Sequence, residues 1–160
     1  MAARTNPANE PESERELTIT RVFDAPARLV FAAWSKPEHI KRWFGPETYP
    51  VTQAEMDFRV GGKWRFAMTG PDGKLQPYFG GEYLEIMPER RIVFTDAFEA
   101  PDSPVMTMTV TFEEKDGKTT MTWRTVFPSA AVRKQYMEMG MEAGIASSLG
   151  QLKDLVGSLR

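Results

Sequence analysis

The chain has 160 residues, 20 Lys and Arg against 22 Asp and Glu, and a net charge of −2, with a pI near 5.6. That length fits one domain with a sizeable core, and the charge balance offers no basic footprint for nucleic acid. With no cysteine and a single histidine, His39, disulfides, thiolate chemistry and a histidine-rich zinc or iron site are set aside, and no cofactor or metal is expected.

No apolar run approaches the ~20 residues of a membrane span, and the N-terminus lacks a signal peptide's apolar core. A soluble, cytoplasmic protein is the expectation. Ten methionines, ten phenylalanines, four tryptophans and four tyrosines promise a large, soft, aromatic interior. Residues 1–15 are polar, with two prolines and no periodicity, and read as a disordered tail before one domain over 16–160.

Glu16 to Asp24 alternates and reads as a strand. Pro26 suits the first turn of a short helix with Leu29, Val30, Ala33 and Trp34 on its apolar face. Pro37 opens a second, which Gly45-Pro46 ends. From Tyr49 the period falls to two. Strands are expected over Val51 to Arg59, Lys63 to Thr69, Tyr78 to Met87 and Arg91 to Phe98, then a pair joined at Asp116-Gly117, the strongest hairpin signal in the chain. Gly61-Gly62 and Gly80-Gly81 lack the strand-to-helix setting of a phosphate loop and read as a turn and a bulge.

The last thirty-odd residues, Ser129 to Leu159, carry apolar side chains in steps of three and four, one row through Met139, Ala143, Ala146 and Leu149, another through Met141, Ile145, Leu152 and Leu155. Ser129 is placed to cap the helix. Unbroken it would run ~45 Å, so a kink near Gly140 is expected, with the main helix from about Met141 to Leu159. Gly140, Gly144 and Ser147 share one helical row, which suits either close packing on a sheet or room for a bound molecule. The order β-α-α-β6-α, with short turns between strands, predicts an α+β fold: an antiparallel sheet of about seven strands covered by the C-terminal helix.

Four stretches, FDAPARLVFAAWSKPEHIKRWFGP, DFRVGGKW, FGGEYLEIMPERRIVFTDAF and MEAGIASSLGQLKDL, together resemble the START-like, or SRPBCC, superfamily. Within it they are similar to bacterial relatives of the activator of the ninety-kilodalton heat-shock protein ATPase, whose C-terminal domain they match in character. The resemblance implies a helix-grip fold, a curved sheet wrapped round a long helix with an apolar cavity between them. Related sequences often carry tryptophan after the helix glycine, where this chain has Ile145, which implies a larger pocket. The chaperone activators also carry a further N-terminal domain, for which this length leaves no room, so chaperone activation is not expected.

Given that resemblance, single strand faces are expected to line the cavity: Trp64, Phe66 and Met68 on one strand, Met106 and Met108 on another, Met121 and Trp123 on a third, with Tyr83 and Phe94 between them. Met141, Gly144 and Ile145 face them from the helix. Ordinary core is the plain alternative; methionine and aromatic side chains also suit irregular or flat apolar ligands. Trp43 and Phe44, ahead of Gly45-Pro46, either gate the entrance or cap the core.

Two carboxylates are candidate proton-transfer groups. Alternation from Ile92 and Phe94 carries Asp96 inward, and if Tyr78 and Leu84 face inward, Glu82 does too, although that strand is apolar on both faces. Asp57, Arg59 and Glu55 read as an exposed structural charge cluster, and His39 as a surface helix residue. No catalytic triad can be assembled, and the balance lies against an enzyme. The expected function is binding of a small apolar molecule (a lipid, an aromatic or a polyketide-like compound) by a monomer or homodimer. A polyketide cyclase or dehydratase working in the same cavity, and a co-chaperone-like interaction module, are the alternatives.

Overall fold

The computed structural model describes residues 10–160. The expected tail over 1–15 lies, for its first nine residues, outside them. Within the described part Glu12–Glu14 form a single 3-10 turn, held to the sheet where Arg124 bonds Glu12 at 2.8 Å and Glu16 at 2.7 Å.

The elements in chain order are β1 (Glu16–Phe23), α1 (Ala27–Ser35), α2 (Pro37–Trp43), β2 (Val51–Met56), β3 (Lys63–Met68), β4 (Phe79–Met87), β5 (Arg91–Phe98), β6 (Met106–Lys115), β7 (Lys118–Val126), α3 (Ala130–Glu138) and α4 (Met141–Leu159). The seven strands form one curved antiparallel sheet in the order β1-β7-β6-β5-β4-β3-β2. The fold is α+β, of the helix-grip type. The β6–β7 turn places Asp116 at φ 53° and Gly117 at φ 77°, the double positive φ of a type I′ hairpin.

The C-terminal helix breaks where expected. Gly140 sits at φ +86°, a left-handed conformation that costs glycine little, and it turns α3 into α4. The Ser129 hydroxyl accepts from the Val132 N–H at 3.1 Å and starts α3. On α4 the buried residues are Ile145, Ser148, Leu149, Leu152, Leu155 and Val156. Ala143 and Ala146, from the other expected row, face solvent, because α4 turns its Ile145–Ser148–Leu152 stripe to the sheet.

Two strand readings are corrected. β2 stops at Met56, and residues 57–62 form a turn in which the Arg59 N–H donates to the Asp57 carbonyl at 2.8 Å. Asp57 and Arg59 therefore pair across a turn, at 2.8 Å and exposed to solvent, and not along a strand. In β4 the register shift falls between Tyr83 and Glu85, so the bulge is at Leu84 and Gly80-Gly81 pair regularly. Those glycines are demanded by close approach: a Cβ on Gly81 would lie 2.0 Å from the Thr95 carbonyl oxygen. Phe79 and Tyr83 are the residues of β4 that turn inward.

Candidate functional site

The helices cover the sheet unevenly, and this makes the site. Over one part of the inner face, α1 and α2 bring down Trp34, Ile40 and Trp43, all buried. Trp34 meets Trp43 and Trp123 edge-on at 4.8 and 4.9 Å between ring centroids, and the Trp43 indole donates to the Ala33 carbonyl at 2.9 Å. The gap there, bounded by Trp34, Trp64, Phe66 and Tyr83 among others, is about 10 Å³, at most one water's space.

Trp64, Phe66, Tyr83, Phe94 and Met121, expected on a cavity wall, are therefore placed in closed core, together with Trp43, for which gating and core-capping were both open. Trp64 spends its indole N–H on the Thr95 carbonyl at 3.1 Å, Met121 is fully buried, and burial pushes the Tyr83 phenol well above its ordinary pKa. On β3, β5, β6 and β7 alternation chose the inward face, but not the position along it.

Beyond Phe44 the cover parts. The turn at Gly140 leads α3 away from α4, and a cavity of about 610 Å³ opens between the sheet and the helix junction. Phe44, Met68, Met106, Met108 and Trp123 line it from below, and Met141, Gly144 and Ile145 from α4. Trp43 and Phe44 thus divide the two roles proposed for them: Trp43 fills the core, while Phe44 stands on the cavity wall. Gly144 belongs to the lining, and a Cβ there would meet only Pro46 Cγ, at 3.6 Å. The junction with the 45–49 loop is hydrogen-bonded: the Ser148 hydroxyl accepts from the Gly45 N–H at 3.0 Å, and the Ser147 hydroxyl accepts from the Glu47 N–H at 3.1 Å.

Sequence reasoning missed Pro46, Tyr49, Gln76, Pro77, Phe79 and Phe98, and from the helix junction Tyr136 and Met139. Phe98 was within reach, since the alternation that carries Asp96 inward continues two residues further. Tyr136 and Met139 stood in the amphipathic stripe, but their place at the mouth depends on how far α3 swings at Gly140. Met139, Tyr49 and Phe98 remain 65%, 39% and 38% exposed, so the rim is apolar and open.

Among the described residues one charged side chain lines this space. Asp96 on β5 is buried at 9% exposure and lies on the cavity wall. Burial pushes its carboxyl from 3.8 up to about 7, with no opposing hydrogen bond or cationic neighbour. Its charge reaches the Tyr136 phenol of α3, whose pKa is raised by burial first and by Asp96 second. Glu82 is elsewhere: half-buried on β4, opposite Lys63, on the face away from Phe79 and Tyr83. Its inward placement required Tyr78 and Leu84 to face in, and Leu84 is 45% exposed. His39 is half-buried, its ring bonded to the Ala32 carbonyl at 3.0 Å, and it ties α2 to α1. Among the described residues no cluster of three His, Cys, Asp or Glu could hold a metal ion, and no helix is long and apolar enough to cross a membrane.

The model of one protein family, activator of Hsp90 ATPase homolog 1-like protein, matches residues 24–157. The chain belongs to this family. The match runs from the residue after β1 almost to the end of α4 and so takes in the whole cavity. Solved structures agree in fold. A protein from Arthrobacter aurescens is 29% identical, with 94% of this chain and 90% of that one covered at a TM-score of 0.85. One from Mycobacterium smegmatis is 30% identical, with 95% and 97% covered at 0.82. One from Nitrosomonas europaea is 26% identical, with 92% and 97% covered at 0.83. No curated protein matches the chain significantly.

Proposed function

We propose that the protein binds a small apolar molecule in the cavity between the sheet and the α3–α4 junction. The observation that carries this is the cavity itself. Its volume of about 610 Å³ falls within the range of small-molecule sites, and its walls are methionine and aromatic side chains, which adapt to irregular or flat apolar surfaces. A protein-interaction module needs no such space, and the cavity weighs against that reading. Native mass spectrometry of the purified protein tests the proposal. A non-covalent adduct lost on denaturation is the expected result; a protein that stays unliganded after incubation with a broad panel of lipids and aromatic compounds would refute it.

A second reading uses the same space. Asp96 lies on the wall with a carboxyl titrating near 7, where a proton donor or acceptor is most effective. A cyclase- or dehydratase-type reaction would use it to move one proton on a ligand held by the apolar walls. In that case Asp96→Asn abolishes turnover and spares binding.

A further inference from the structure

A carboxyl with no partner in an apolar cavity is a demand on the ligand. Asp96 is nine-tenths buried and opens onto the cavity, and among the described residues no protein group lowers the cost of its charge. Among the described residues the cavity lining contains no lysine, arginine or histidine; besides Asp96 its titratable groups are Tyr49 and Tyr136. An anionic head such as a fatty-acid carboxylate would therefore enter a space with a negative charge and no cation to receive it.

We propose that the cavity selects apolar molecules carrying a protonated amine, with Asp96 receiving the ammonium while the Met68, Met106, Met108 and Ile145 walls take the apolar body. This rests on the binding reading above and names its ligand class. The ammonium supplies the opposite charge and hydrogen bonds that the carboxyl lacks, and charge-assisted bonds in a desolvated site are the strong ones.

The test is calorimetric titration of the whole protein at pH 8 with decylamine, 1-decanol and decanoate, each below its aggregation concentration, against wild type and Asp96→Asn. Wild type is expected to bind the amine at least about tenfold more tightly than the alcohol, an increment of about 1.4 kcal/mol, and the decanoate most weakly. Asp96→Asn keeps the alcohol and brings the amine to within about threefold of it. Decanoate binding as tightly as the amine, or an amine preference that survives Asp96→Asn, overturns the proposal and leaves the binding reading standing. If none of the three binds, and no adduct appears by native mass spectrometry, the binding reading itself fails. Should Asp96→Asn not fold, carboxyl-carbon NMR of wild-type Asp96 decides: decylamine must lower its titration midpoint, and an unmoved midpoint refutes the contact.

Discussion

Replacing Asp96 by asparagine should stabilise the protein, and by an amount that depends on pH. Burial raises the carboxyl from 3.8 to about 7, an interval of roughly 3 pH units, each worth about 1.4 kcal/mol. The sign follows from which state gives up its proton first. Below pH 3.8 the acid is neutral in both the folded and the unfolded chain, and it exacts no charge penalty. As pH rises, the unfolded chain ionises first, and the folded state loses stability until its own carboxyl ionises near pH 7. Above that the loss is complete, about 4 kcal/mol at its upper bound and less where water enters the cavity. This is a large fraction of the ~5–15 kcal/mol that holds an ordinary domain together. Urea denaturation of wild type and Asp96→Asn at pH 4, 5.5, 7 and 8.5 measures it. The variant should match wild type at pH 4 and gain about 2–4 kcal/mol by pH 8.5, most of the change falling between pH 4 and 7. A difference that stays flat with pH, or a variant less stable at pH 8.5, would show that Asp96 has a hidden partner and would refute the reasoning.

Two further changes probe the helix junction. Gly144→Leu should fill part of the cavity, since its Cβ has ordinary clearance from Pro46; ligand binding should fall at least about tenfold, while replacing an internal helix glycine raises thermal stability by up to ~1 kcal/mol. Unchanged ligand affinity in that variant would place the binding site elsewhere. Ser129→Ala removes the acceptor for the Val132 N–H and should cost about 1 kcal/mol in chemical denaturation, without altering the cavity.

Backbone-driven features were legible in the sequence. Ser129, Gly140 and Asp116-Gly117 each announce a conformation that local chemistry enforces, and each appears as expected. Asp96 was legible too, because strict alternation on β5 leaves it no other face. Alternation cannot say how far along a strand its cover extends. Trp64, Phe66 and Met68 share β3 and the expectation of lining a pocket, yet only Met68 does; α1 and α2 seal the other two. That boundary depends on three-dimensional packing of helices distant in sequence. β4 failed for a different reason. Both its faces are apolar, and the bulge at Leu84 breaks the period that would have decided between them.

Asp96 stands in contrast to the paired charges of the sheet. Three arginines of the sheet are paired: Arg124 with Glu16 at 2.7 Å, Arg65 with Glu99 at 2.7 Å, Arg91 with Glu85 at 3.4 Å. Those pairs are solvent-exposed in part, where pairing contributes little and its absence would cost little. The Asp96 carboxyl is buried, where a missing partner is expensive, and no ion pair or hydrogen bond to it is found among the described residues. Asparagine or leucine at 96 would relieve that cost with a single substitution, so retaining the acid gains nothing for the empty fold. It makes physical sense if the partner arrives from outside, with the ligand, and binding then recovers free energy that folding left unspent.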